Sequence, residues 1–438
     1  MIQTLKNAFR IKEIRQKLFF TFCMIALIRF GSQLPVPGVD REYFSSWFAQ
    51  HSGDAFSFFS AFTGGSFEKM SIFALSVSPY ITSSIIIQLL TIAIPALEEM
   101  QKDGEDGRKK INAITRYVTV ALALIESTAM TIGFGRSGMI PDMNFLKGLT
   151  VVVCMTAGSA FLMWLGERIT ENGVGNGVSI ILMVNILSSI PSDMVSLFEM
   201  FIKGKAIAIG AVAAVIILAV IVVTIILVIL LSDAKRKIPV QYAKKMQGRK
   251  MVGGQSTHIP LKVNTAGVIP VIFASSLMSI PQMVIAFTGA NVGTGVGGTI
   301  IGMLSQNNWF NFSKPIYSVG LILYIALIIF FAYFYTSITF NPIEVADNMK
   351  KQGGFIPGIR PGKPTTDYLN KILSYIVFIG AVGLTIVVLI PIFFNGVFGA
   401  SVSFGGTSII IIVGVVVETL KKIESMMLVR NYKGFLSE

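Results

Sequence analysis

The sequence predicts an all-α, polytopic membrane protein with ten transmembrane helices in two inverted five-helix halves around a central pore. Three observations carry that prediction. Of 438 residues, 53% are hydrophobic and only 13% charged, whereas a soluble domain carries about 25% charged residues. Apolar runs recur along the whole chain at roughly the 17–25 residues that a helix needs to cross about 30 Å of hydrocarbon, and they lack the apolar–polar alternation of barrel strands. The basic residues are also segregated. Segments 1–17, 95–116, 167–176, 232–265, 340–371 and 421–438 hold 28 of the 36 Lys and Arg residues, which places those segments and both termini in the cytoplasm. The formal net charge of +13 is therefore mainly a topology signal, with nucleic-acid contact a secondary reading.

The predicted spans, in order, are 18–36, 71–94, 117–134, 149–166, 177–196, 206–231, 266–286, 316–339, 372–394 and 404–420. The first follows a basic stretch, as a signal peptide does, but "IRFGSQLPVPG" offers no small-x-small cleavage site, so it reads as a retained helix. The link between spans 5 and 6 is short and falls outside. The second five spans (residues 197–438) therefore start from the opposite face to the first five (1–196), the arithmetic of an inverted repeat around a central pathway. Two long basic loops, 232–265 and 340–371, carry Gly or Pro at their tips. Loops beyond about 12–15 residues tend to be functional or disordered. The interleaved Ile238, Val240, Tyr242, Ile259 and Leu261 predict order in the first, as in a docking platform for a soluble partner.

The chain shows no catalytic constellation, so an enzyme is not predicted, and neither is a cofactor or a metal. Its two histidines are His51 and His258, and its two cysteines, Cys23 and Cys154, both fall in predicted spans. No G-x-x-x-x-G-K-[ST] loop occurs, while "GTGVGG" (293–298) follows no strand and "GVGNG" (173–177) reads as a tight turn. Arg29 and Glu126 are the ionisable residues near mid-span, where a charge costs roughly 2.5–3.5 kcal/mol or more. Arg29 either satisfies carbonyls or pairs internally. Glu126 is either protonated and hydrogen-bonded or faces a wet cavity. So few intramembrane charges weigh against the rival reading, a small-solute secondary transporter. In span 2, "SIFALSVSPYITSSIIIQLL", Val77 and Ile81 share a helix face, as do Leu182 and Ile186 in span 5. Ser and Thr surround the first pair, and a polar cavity pinched by aliphatic side chains is a dewetting gate. Pro79 and Pro270 are expected to bend or loosen their helices near it.

The chain resembles the SecY family, pore-forming subunits of the bacterial protein translocase, over nearly its full length. The resemblance rests on "LPVPGVD" (34–40), the span 2 stretch (71–90), "DGRKK" (106–110), "FLMWLGERITENGVGNGVSI" (161–180), "QSTHIPLKVNTAGVIPVIFASS" (255–276), "FNPIEVADNMKKQGGFIPGIRPGKPT" (340–365) and "FGGTSIIIIV" (404–413). It implies an hourglass channel that passes unfolded polypeptides across the cytoplasmic membrane or releases membrane proteins sideways into lipid. Val77, Ile81, Leu182, Ile186, Ile272 and Ile411 then form a pore ring, with Val77 and Leu182 departing conservatively from the family's isoleucine. Spans 2 and 3 face spans 7 and 8 across a lateral gate that includes Gln88. Arg249, Lys250 and Arg360 become docking positions for the SecA motor or the ribosome. SecE and SecG complete a heterotrimer, and SecDF, YidC, signal peptides, preproteins and lipid are further partners.

The segment "SAFTGGSFEKM" (60–70) is too apolar for a solvated loop and too charged and broken for a span. The resemblance implies that residues 57–70 form a plug, a short half-helix below the ring. Phe59, Phe62 and Phe67 are expected to supply its apolar face. Gly64 and Gly65 are expected to weaken the helix, each by roughly 1 kcal/mol relative to Ala, so that it can leave.

Overall fold

Backbone polar groups in hydrocarbon must be satisfied within the segment that carries them, and the apolar runs accordingly fold as helices. The computed structural model describes residues 6, 8–44, 46, 60, 62–136, 138, 140–141, 143–201, 207–242, 245–247, 250–252, 256–288, 296–305, 308–310, 315–398 and 406–434. Among them, the first half of the chain forms α1 (Lys12–Gly31), α2 (Ser78–Ala93), the short α3 (Pro95–Lys102), α4 (Glu105–Arg136), α5 (Phe145–Asn172) and α6 (Gly177–Phe201). The second half forms α7 (Ile207–Asp233), α8 (Ile269–Thr288), the short α9 (Val296–Leu304), α10 (Ser318–Thr339), α11 (Pro342–Lys351), α12 (Lys363–Phe398) and α13 (Gly406–Gly434). Ten of these helices have 16 residues or more, one for each predicted span. Their outward faces are apolar: Val215 and Leu218 on α7 are each 67% exposed, as a lipid-facing surface requires.

Within each half, neighbouring helices pack directly, most extensively α4 on α5 and α8 on α10. Helices from the first part of the chain touch those from the second at α6 against α13, α4 against α8 and α6 against α7. Small residues permit the closest approaches. A Cβ on Gly166 of α5 would stand 3.0 Å from the Val178 side chain of α6, and one on Gly158 would strike the Ile72 carbonyl.

The second span departs from its expected form. The helix starts at Ser78, and residues 72–77 form turns. Ser76 takes a left-handed φ of 52°, a conformation that a continuous helix does not tolerate. Pro79 consequently lies in the first turn of α2 and Pro270 in that of α8. There the missing N–H would have had no intrahelical partner, so neither proline produces the expected bend. A bend of 104° occurs instead between α2 and α3, at Pro95.

The two long loops contain strands, β1 (Lys235–Tyr242), β2 (Lys245–Gln247), β3 (Lys250–Val252), β4 (Ser256–Lys262) and β5 (Gly354–Phe355). β1 pairs antiparallel with β4, Ile238 opposite Ile259, and its other edge pairs with β5. β2 and β3 form a separate hairpin. Because β5 comes from the second loop, the three-stranded sheet ties both loops together over one cluster that includes Ile238, Val240, Leu261, Met349, Ile356 and Leu369.

Candidate functional site

Four helices bring the six expected ring residues together. Val77 is the N-cap of α2 and Ile81 lies one turn further on. Leu182 and Ile186 come from α6, Ile272 from α8 and Ile411 from α13. Val77, Leu182, Ile186, Ile272 and Ile411 are buried in one hydrophobic cluster, and Ile81 packs against it. A cavity of about 330 Å³ reaches this cluster from the loop side, with Leu182, Ile272 and Ile411 in its lining. Its other walls are mixed: Asn176, Ser179, Asn264, Thr265, Glu418 and Lys421 stand among aliphatic side chains such as Val228, Leu231, Leu384 and Val387. Lys421, in the cavity lining, also pairs with Asp233 at the end of α7, tying α13 to that helix. The arrangement is a cavity on the loop side that ends on an aliphatic cluster.

Among its described residues, the segment expected to form a plug meets that cluster at Phe62 and joins a different one at Phe67. Phe59 lies outside the described residues. Phe62 is 7% exposed and belongs to the constriction cluster. Phe67 is fully buried elsewhere, edge-on to Phe44 with ring centroids 5.7 Å apart and 6.2 Å from Phe134. Helix among the described residues of this segment ends at Thr63, followed by turns. Gly64 (φ 64°) occupies the left-handed position that terminates the helix, and the Gly65 N–H bonds back to the Ser60 carbonyl. That is a Schellman closure. The two glycines therefore end the helix instead of weakening it from within.

Polar groups surround this turn. Arg29 on α1 donates to the Gly64 carbonyl at 3.4 Å, so the mid-span arginine satisfies a carbonyl 35 residues away. Ser188 Oγ on α6 lies 3.4 Å from the same carbonyl, while its single hydroxyl hydrogen also has the Asn185 carbonyl at 2.7 Å. Asn185, between Leu182 and Ile186, donates to the Phe62 carbonyl at 3.2 Å and to Ser76 Oγ at 3.0 Å. Sequence reasoning did not single out Asn185 or Ser188. The available signal was a lone amide inside an aliphatic run.

At the seam between halves, α4 packs against both α2 and α8. The Ser83 and Thr119 hydroxyls, 2.5 Å apart, join α2 to α4. Gln88 on α2 donates to Ser84 Oγ, while its Oε1 is buried with no hydrogen-bond partner among the described residues. Glu126 is half-buried on α4, seven residues beyond Thr119 and hence on the same helix face. On the loops, Arg360 is exposed between Gly358 (φ 83°) and Gly362 (φ 104°). Arg249 lies outside the described residues. Lys250 begins β3, opposite Gln247.

The chain is similar to known proteins over its full length. The SecY family model matches residues 71–420. The protein translocase subunit SecY of Streptomyces galbus is 44% identical over 453 residues, with both chains fully covered. A solved SecY structure, whose plug domain is described as stabilising the closed state of the translocation channel, superposes with a TM-score of 0.63 at 18% identity, covering 94% of this chain and 92% of that one. The idle yeast Ssh1 complex bound to the 80S ribosome aligns with a TM-score of 0.61 at 15% identity, over 95% and 89% of the two chains. At those identities the likeness is one of fold.

Proposed function

The chain belongs to the SecY family and is a protein-translocation channel subunit, and from that premise we propose how its parts divide the work. Residues 1–196 and 197–438 act as two halves that part to admit a polypeptide. Val77, Ile81, Leu182, Ile186, Ile272 and Ile411 close around the chain as an aliphatic gasket, which keeps water and ions out while presenting no fixed hydrogen-bond partners to a passing backbone. The plug segment closes the resting channel from the far side. α2 and α4 separate from α8 and α10 to release apolar segments into lipid, beside Gln88. The observation that carries this reading is a cavity on the loop side that reaches Leu182, Ile272 and Ile411 on three helices, with Val77 and Ile81 of a fourth packed in the same cluster.

The protein is a multi-pass membrane protein, and we place it in the bacterial cytoplasmic membrane with both termini inside. SecE and SecG complete the heterotrimer, and the basic loops receive SecA or a ribosome at Arg249, Lys250 and Arg360. The ribosome-bound Ssh1 neighbour supports the ribosome as a partner. Guanidinium groups suit both candidates, since they bond carboxylate and phosphate bidentately. The test is reconstitution of the purified complex in vesicles with SecA, ATP and an unfolded preprotein. Protease-protected preprotein inside the vesicles is expected. Preprotein that stays fully protease-accessible would overturn the reading.

A further inference from the structure

We propose that Asn185 couples widening of the constriction to release of the plug, acting with Ser188 and Arg29 as a polar latch on the plug's backbone carbonyls. The inference rests on the plug reading above. The last carbonyls of a helix have no intrahelical partners, and the plug's short helix ends at Thr63, deep between α1 and α6. Two carbonyls at this end are taken up from outside. Phe62 accepts from Asn185 and Gly64 from Arg29 at 3.4 Å, while Ser188 Oγ, 3.4 Å from the Gly64 carbonyl, shares its one hydrogen with the Asn185 carbonyl at 2.7 Å.

Asn185 is only 3% exposed, where an unpaired amide is costly. Its second contact is Ser76 Oγ, on the residue before Val77, and Ser159 of α5 holds the Ser76 carbonyl at 3.1 Å. One side chain on the helix that carries Leu182 and Ile186 thus binds both the plug and the turn that carries Val77. Moving α6 away from that turn breaks both contacts together. The fit is close, since a Cβ on Gly64 would stand 2.9 Å from the Asn185 Cα. A glycine is required there by space as well as by φ. Apolar packing alone would let the plug slide. Directional bonds to its carbonyls hold it in one register and release it in one step.

The test is resting ion conductance of the purified complex in planar bilayers, with and without residues 60–66. Asn185→Leu is expected to raise the frequency of spontaneous openings roughly tenfold, the factor equivalent to about 1.4 kcal/mol. Ser188→Ala, a milder change, is expected to raise it by a smaller factor. Neither substitution should add to the conductance of the plug-deleted channel. If plug deletion raises conductance but both substitutions leave it unchanged, the latch is overturned and the plug survives. A rise of equal size without the plug also overturns the latch, since Asn185 would then act through packing of the constriction. If plug deletion itself changes nothing, the plug reading fails, and the latch with it.

Discussion

The Thr365 hydroxyl donates to the Arg360 carbonyl at 2.8 Å, from a side chain with no exposed surface. Thr365 also takes the Gly362 carbonyl with its own N–H, so the start of α12 fixes the loop tip from below while the guanidinium projects into solvent. We therefore predict that Thr365→Val reduces SecA-stimulated preprotein transport several-fold, on the basis that the lost hydrogen bond is worth about 0.5–1.5 kcal/mol. Thr365→Ser keeps the donor and should retain transport. The check is initial transport rate into vesicles at subsaturating SecA.

Reversing the charge at the tip removes the contact itself. Arg360→Glu should lower SecA-driven transport by roughly tenfold or more, with assembly of the membrane complex unaffected because Arg360 is exposed. Co-purification of the partner subunits, measured beside transport, separates the two effects. Normal transport by this variant would remove Arg360 from the docking surface.

The constriction makes a distinct prediction. Replacing Ile81 and Ile272 with Gly removes aliphatic volume from two helices that contribute to the same hydrophobic cluster. Resting conductance should rise several-fold as water enters the widened gap. Wild-type conductance in planar bilayers would contradict the gasket.

Packing between helices is testable by stability. A Cβ at Gly158 would strike the Ile72 carbonyl, in the turn that precedes the constriction. Gly158→Val should therefore cost about 1–3 kcal/mol by overpacking. The readout is the midpoint of thermal inactivation of the detergent-solubilised complex, with Val215→Ala on the lipid-facing surface of α7 as the silent control.

Sequence pattern revealed the helices because each buries its own backbone bonds locally, and apolar runs of sufficient length report this directly. It failed where the deciding partner is remote. "SIFALSV" is as apolar as the helix after it, yet Ser76 is held out of helical geometry by Ser159 and Asn185, which lie 83 and 109 residues away. Phe67 carries the same signal as Phe62, but Phe44 and Phe134 draw it into a different cluster. The order predicted for the first loop was legible in its interleaved aliphatic residues. Its pairing with Gly354 and Phe355 of the second loop was not, since no local pattern specifies a partner strand more than 100 residues on.

The claim that a polypeptide passes through the aliphatic constriction is tested most directly by cross-linking. A preprotein stalled in transit would be probed with photoreactive residues placed singly at positions 81 and 272, and at position 215 on the lipid-facing surface of α7. The account predicts strong adducts from 81 and 272 that depend on SecA and ATP, and none from 215. Adducts from 215 with none from 81 or 272 would contradict it.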